Sequence, residues 1–214
     1  MFSIPTLYTP RLILRPFTAA DAPRVRQLAG DKRIADTTAR IPHPYPEGAA
    51  ESFIAAQPAR AENGTYVFAV TLAGTRTPGR EHDLTDTGHL VGAVGLERAD
   101  PEAEVAECGY WIGVHYWNKG FATEALRALL TFAFQRQRLH RVEAAHFAEN
   151  TASGRVLQKL GMLREGIRRQ AFQKNGQWLD LVQYALLADE WTAGQRRSAR
   201  AAHTPASRAH VVTA

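Results

Sequence analysis

Apolar and polar residues alternate along Leu7–Arg15, with Leu12 and Leu14 on one side and Arg11, Ile13 and Arg15 on the other. A period of two predicts a strand, and Pro16 ends it. Thr18-Ala-Ala-Asp21 then reads as a helix start, with Thr18 as cap; the helix runs through Leu28 and closes at Gly30. His43-Pro44-Tyr45-Pro46 is a rigid loop, because the residue before a proline is pushed out of the helical region. Ala50, Phe53, Ile54 and Gln57 share one face of a helix predicted over Glu47–Arg60, and Asn63-Gly64 turns the chain. Tyr66–Leu72, His89–Glu97 and Glu104–Gly113 read as three strands, separated by a polar loop at Gly74–Gly88 and a turn at Ala99-Asp100-Pro101. The clearest helix is Phe121–Gln137, where Phe121, Ala125, Leu129, Phe132 and Ala133 make an apolar stripe. A strand at Arg141–Phe147 and a helix at Thr151–Leu160, closed by Gly161, come next. A hairpin of Leu163–Phe172 and Leu179–Leu187 turns at Lys174-Asn175-Gly176.

This order of elements predicts an α+β fold with a mixed central sheet of about six to seven strands flanked by helices. It lacks the regular strand–helix alternation of a doubly wound nucleotide-binding fold.

The 214 residues suit one domain, here residues 1–191, followed by a basic tail, 192–214, that is predicted to be disordered. Arg196, Arg197, Arg200 and Arg208 of that tail, which holds no acid, supply +4 of the formal net charge of +5. The basic balance therefore says little about the folded body, and a nucleic-acid partner is not expected. Cys108 is the one cysteine, so no intrachain disulfide forms; it reads as a small buried strand residue. No leader pattern stands at Met1–Pro10, and no stretch approaches the ~20 apolar residues of a membrane span, so a cytoplasmic protein is expected. The eight histidines show no metal-ligand spacing, and no metal is expected.

Gly113–Gly120 joins a strand to a helix N-terminus, where backbone N–H groups are left without helical partners and the helix end is positive. Such a junction suits a pyrophosphate, and a glycine at 120 lets an anion approach the backbone. The spacing fits neither of the common glycine-rich nucleotide loops, and the same residues equally describe a plain strand-to-helix turn.

A second segment shifts that balance. Arg141–Phe147 is followed by Glu149-Asn150-Thr-Ala-Ser153-Gly-Arg155 and by Lys159-Leu-Gly-Met162. Together with Thr9-Pro-Arg-Leu-Ile-Leu-Arg15, Gly109-Tyr-Trp-Ile-Gly113, Trp117-Asn-Lys-Gly-Phe-Ala-Thr-Glu-Ala125 and the closing Asn175–Asp180 and Asp189-Glu-Trp191, these segments resemble the GNAT acetyltransferase family. Within it they are similar to the RimJ/RimL branch of ribosomal-protein-alanine N-acetyltransferases, over about residues 7–191. The resemblance implies acetyl-CoA as co-substrate, held in a V-shaped gap between two splayed parallel strands, Glu104–Gly113 and Arg141–Phe147. It places the pantetheine arm against Tyr110, Trp111 and Ile112, and the pyrophosphate on Asn118, Lys119, Gly120, Phe121, Ala122 and Thr123. Asn150 matches an asparagine that contacts pantetheine and also reads as a helix N-cap. Ser153 matches a serine near the thioester sulfur, and also a first-turn residue bonding backbone. Arg155 reads as a contact to the adenosine phosphates or as a solvated helix residue. Trp117 departs from the polar residue general in the family, and Leu157 from a frequent tyrosine acid.

The implied reaction is direct attack of a neutral amine on the thioester, without a covalent enzyme intermediate. It needs a base, an oxyanion donor and an acid. Glu107 is the candidate base, a backbone N–H near Trp111 or Ile112 the oxyanion donor, and Ser153 the candidate acid. Tyr184 and Asp180 are further candidates facing the acceptor, and His43, Tyr45 and Trp178 candidate wall residues. The expected acceptor is a protein N-terminal α-amine of the ribosomal-protein type. A small amine, such as an amino acid, polyamine or antibiotic, and a non-catalytic acyl-CoA-binding module are the alternatives. Homodimers are common in the branch, which makes a second copy of the chain a candidate partner.

Overall fold

In a computed structural model of the chain, the described residues are 4–74, 89–98 and 104–203, with side chains described through residue 195. The polar loop read at 74–88 and the turn at 99–101 lie almost wholly outside them. Eight strands form one sheet in the order β1-β2-β3-β4-β5-β6-β8-β7. They are β1 (Leu7–Tyr8), β2 (Leu12–Arg15), β3 (Tyr66–Leu72), β4 (Leu90–Arg98), β5 (Val105–Ile112), β6 (Arg141–Phe147), β7 (Leu163–Lys174) and β8 (Gln177–Leu187). Every neighbouring pair is antiparallel except β5 and β6, which run parallel. The mixed sheet and α+β class read from the sequence are present. The strand count is one higher than expected because the first strand is two: Thr9 N–H bonds the Leu12 carbonyl, Pro10 offers no donor, and Leu7–Arg15 folds back into a short hairpin.

Helices α1 (Ala22–Ala29), α2 (Lys32–Thr37), α3 (Ala49–Ala55), α4 (Gln57–Glu62), α5 (Phe121–Thr131), α6 (Thr151–Lys159) and α7 (Ala188–His203) flank the sheet. The helix expected over Glu47–Arg60 is α3 and α4, broken where Pro58 lacks the N–H that would continue the ladder. Helix α2 has six residues and too little periodicity to be read; Asp31 caps it by accepting from the Arg33 N–H at 2.9 Å. The helix expected over Phe121–Gln137 ends as a wider turn at Phe132–Arg136. Helix α7 carries residues 192–203, the first part of the stretch read as a tail, as helix, while 204–214 lie outside the described residues. Asp189 and Glu190 in its first turn oppose the helix dipole, and an Ala/Arg/Gln-rich continuation has good helix propensity.

Strand alternation divides the apolar side chains between two cores. Phe68 and Val70 of β3 pack with Leu12, Leu14, Ala106, Cys108, Leu126, Leu129 and Leu157 on the α5/α6 face. Ala69 packs with Val25, Ala29, Ala50 and Ile54 on the α1/α3 face. Closeness to β6 demands a glycine in α6: a Cβ on Gly154 would stand 2.8 Å from His146 Nε2.

Arg15, on β2, makes a bidentate pair with Asp21 at 2.8 and 2.7 Å, and the Asp21 carboxylate also accepts from the Thr18 N–H and hydroxyl. Burial alone would raise the Asp21 pKa; the Arg15 and Thr18 bonds outweigh it and hold the group below its usual value. The stabilisation is therefore present above the ordinary aspartate pKa and lost as pH falls through the lower folded value. Replacing Asp21 by alanine leaves a nearly buried guanidinium uncompensated and is expected to cost about 3 kcal/mol at pH 7. Urea unfolding of the two proteins measures this, and the difference between them narrows in acid.

Candidate active site

Strands β5 and β6 stay together for three parallel pairs, Val105–Arg141, Ala106–Val142 and Glu107–Glu143, and then part. Each is committed elsewhere. Strand β5 pairs with β4 from Ala106 to Ile112, and β6 with β8 along its whole length. The facing edges, Cys108–Ile112 and Ala144–Phe147, thus turn backbone N–H and C=O groups toward one another across a gap. The gap opens into a cleft of about 770 Å³ that passes through the sheet. On one face it is lined by the loop before α5 and by α6; on the other by Thr37–Pro42, Tyr45, Phe53 and Trp111.

The loop is built by left-handed residues. Asn118 (φ 60°) and Gly120 (φ 79°) bend the backbone so that α5 starts at Phe121, ahead of its first helical bond from Glu124 N–H to the Gly120 carbonyl. Asparagine tolerates that region and glycine adopts it freely. The N–H groups of Phe121, Ala122 and Thr123 therefore stand at a positive helix end that lines the cleft. Trp117 also lines the cleft, and its indole N–H donates to the Ile112 carbonyl at 2.5 Å, which staples the loop to β5.

The opposite side of the loop is clamped by the N-terminal hairpin. Glu124 accepts from the Arg11 N–H (2.9 Å), Arg11 Nε (2.6 Å) and the Thr9 hydroxyl (2.7 Å). Arg11 also donates to the Lys119 carbonyl at 3.0 Å and lies 4.9 Å over the Phe121 ring. The sequence reading assigned these residues no role, although Thr9, Arg11 and Glu124 all stand in its quoted segments. A carboxylate in a first helical turn and an arginine at a distant hairpin carry no local signal of pairing.

Most of the residues read from the sequence lie on the cleft: Glu107, Tyr110, Trp111, Ile112, Asn118, Gly120, Phe121, Ala122, Thr123, Asn150, Ser153 and Arg155. Lys119 is off the lining, with its ammonium 5.5 Å over the Tyr116 ring. Asn150 caps α6 through Oδ1, which accepts from Ser153 N–H at 3.2 Å, while its amide Nδ2 donates to the Thr37 carbonyl at 3.4 Å. Arg155 donates to the Thr151 hydroxyl on an exposed face. Ser153 accepts from the Tyr110 hydroxyl at 3.0 Å, a bond between β5 and α6. Burial pushes the Tyr110 pKa up to about 12, and the Ser153 bond offsets only part of that.

Glu107 faces away from Ser153. It shares strand parity with Trp111, which packs on the α1/α3 core, whereas Cys108 and Tyr110 pack on the other. Glu97, Glu107 and Glu143 are register neighbours across β4, β5 and β6. Arg40 and Arg60 pair with Glu97, and Arg141 with Glu143; no hydrogen bond or ion pair reaches Glu107 among the described residues. Glu107 is exposed by its surface area, yet the cleft walls partly desolvate it; that desolvation raises its pKa, Arg40 and Arg168 pull it down, Glu97 and Glu143 push it up, and the net direction is upward.

Other candidates fall away from the site. Tyr184 is buried in the core, with its hydroxyl taking Gln158 Nε2 at 3.3 Å, and Asp180 accepts the Gln170 N–H at 2.8 Å. Of the suggested wall residues only Tyr45 lines the cleft; Trp178 is exposed, and the His43 ring contacts the Gly30 carbonyl. No group of three or more metal-binding side chains occurs among the described residues, and no described helix is long and apolar enough to cross a membrane.

Two splayed parallel strands in a mixed sheet, with a left-handed loop entering a helix beside them, define an acyltransferase fold. The GNAT acetyltransferase domain family matches residues 11–163, and the chain belongs to that family. YdaF of Bacillus subtilis is 39% identical over 113 residues, which is 53% of this chain and 62% of YdaF. The [ribosomal protein uS5]-alanine N-acetyltransferase of Escherichia coli is 37% identical over 87 residues, 41% of this chain and 45% of that enzyme. The matched segments thus span about half to three-fifths of these relatives. The solved structure of RimL, a ribosomal L7/L12 α-N-protein acetyltransferase in complex with coenzyme A, superposes with a TM-score of 0.74 at 18% identity, over 87% of this chain and 99% of that one, and is alike in fold.

Cys108 lines the cleft, yet burial, with the Glu107 charge adding to it, pushes its thiol up to about 12. A thiol so placed is a poor nucleophile. The native protein is expected to resist a disulfide reagent such as Ellman's at pH 8, and to release one thiol equivalent in guanidinium. Fast native labelling would contradict this placement.

Proposed function

We propose that the chain transfers an acetyl group from acetyl-CoA to a primary amine, and that the acceptor is a protein N-terminal α-amine. The observation that carries this reading is the cleft that passes through the sheet. It has a loop suited to pyrophosphate on one face and, on the other, the Glu107 carboxylate, which has no hydrogen bond or ion pair among the described residues. Acetyl-CoA enters from the α5/α6 face, its pantetheine arm pairing with the free edge of β5 as an added strand would. Phe121, Ala122 and Thr123 N–H groups meet the pyrophosphate. The amine comes from the α1/α3 face. The family relationship and the relatives named for ribosomal-protein acetylation support a protein acceptor.

Glu107, with its pKa raised by partial desolvation, takes the ammonium proton, directly or through a water. The amine nitrogen then bonds to the acetyl carbon and the oxyanion is held by a β5 N–H near Trp111 or Ile112; as the intermediate collapses the C–S bond breaks and the nitrogen's second proton passes to water or, by way of Ser153, to the thiolate. Ser153, accepting from Tyr110, has its own hydroxyl proton free to bond the departing thiolate and relays a proton to it only as it takes one up in return. A coenzyme A thiolate also takes its proton readily from water, since a thiol pKa is about 8.5 by analogy with cysteine.

Thiol release from acetyl-CoA, followed with peptides bearing free N-termini and with a panel of small amines, tests the reading. Turnover only with small amines would replace the protein acceptor; coenzyme A binding with no turnover on any acceptor would leave a binding module. In Glu107→Gln, kcat/KM is expected to fall about 100-fold with acetyl-CoA affinity kept. In the parent, kcat/KM falls as pH drops through the raised Glu107 pKa, and that acid limb disappears in Glu107→Gln. At the loop, Gly120→Val forces a β-branched residue into positive φ, which costs about 1–3 kcal/mol. Its expected readout is weaker coenzyme A binding by calorimetry, about tenfold or more.

A further inference from the structure

Lys174 stands at the end of β7, yet its ammonium reaches across to a different layer. It donates to three main-chain carbonyls: those of Ala35 in α2, Thr38 just after it, and Ile41 at 3.2 Å. The Phe147 ring lies 5.9 Å away. No carboxylate pairs with this ammonium among the described residues; Asp36 acts on it only through space, and burial pushes it below the usual lysine range. Placing a cation among backbone carbonyls costs desolvation. A compact ammonium with three rotatable donors matches acceptors that come from three directions, as a planar guanidinium does not.

The segment it holds is a wall of the cleft. Thr37, Thr38, Arg40 and Ile41 line the face on which Glu107 stands, whereas Lys174 itself is off the lining. Thr37 is tied separately by Asn150. Arg40 crosses to Glu97, the register neighbour of Glu107. We propose that Lys174 is a positioning residue for the acceptor: it latches Thr38–Ile41 so that Arg40 and Ile41 keep their places beside Glu107, without touching cofactor or reacting atoms. The assignment of this wall to the acceptor rests on the acetyl-transfer reading above.

Four charged groups face Glu107: Arg40 from the wall, Glu97 from β4, Glu143 from β6 and Arg168 from β7. Only Arg40 rides on the latched segment, and it favours the ionised carboxylate. Releasing the wall therefore moves the Glu107 titration upward.

The test compares the full chain with Lys174→Met, which keeps the apolar stem and removes the donors. Three measurements are made: hydrogen exchange over residues 33–42, coenzyme A affinity by calorimetry, and kinetics with acetyl-CoA and a peptide carrying a free N-terminal alanine. Exchange over Thr37–Ile41 is expected to speed up about tenfold. The peptide KM should rise at least about fivefold, with kcat and coenzyme A affinity within about twofold, and the acid limb of kcat/KM should move to higher pH. Unchanged exchange, or a loss confined to coenzyme A affinity, overturns the proposal. Lys174→Gln is the second variant if Lys174→Met does not fold; if both lose coenzyme A binding, Lys174 is a general prop and the proposal fails. Absence of turnover in the parent with every acceptor overturns the acetyl-transfer reading instead, and exchange still decides the latch.

Discussion

The divided loyalty of β5 and β6 governs the rest of the molecule. Each strand satisfies one edge fully with an antiparallel neighbour, and the two share only three parallel pairs before they separate. Backbone groups that a sheet would ordinarily consume internally are left facing a channel. Helices from both layers line that channel, α3 through Ala49 and Phe53 and α6 through Ser153 and Val156. Helix α5 begins at the lip with its positive end, and α6 lies close on β6 only because residue 154 has no side chain. A continuous sheet would be no less stable in principle, but it would have no passage from one face to the other.

That passage separates chemical duties by strand parity. Odd residues of β5 carry Glu107 and Trp111 to the face of α1 and α3; even residues carry Cys108 and Tyr110 to the face of α5 and α6. A carboxylate made more basic by partial desolvation stands on one side, and the Tyr110 hydroxyl, held protonated by burial and donating to Ser153, stands on the other. One strand thus carries Glu107 and Tyr110 to opposite faces of the sheet beside the same gap.

Much of the frame was legible in the chain. The alternation of Leu12 and Leu14, the stripe from Phe121 to Ala133, and the runs at Tyr66–Leu72 and Arg141–Phe147 are local patterns, and they found their elements. Local reading failed where a break depends on one missing donor, as at Pro10 and Pro58, or where a helix is too short to show a period, as at Lys32–Thr37. For the site, the lining was found largely through segment resemblance, because glycine and asparagine near a helix start announce a backbone role. What escaped were the long-range ties: Arg11 to Glu124, Asn150 to Thr37, and Lys174 to the carbonyls of α2 and its following loop. A lysine that donates to backbone looks in sequence like any solvated lysine, since its partners have no side-chain identity to read.

The clamp on the loop has a consequence for how the chain assembles. Arg11 and Glu124 are 113 residues apart, so the cradle before α5 takes its final shape only when the earliest-made hairpin meets a helix synthesised much later. Closing so long a loop is paid in chain entropy that no nearby contact can refund early. The same hairpin carries Leu12 and Leu14, both fully buried against Leu126 and Leu129, so docking of the first strands completes the core and the loop before α5 together.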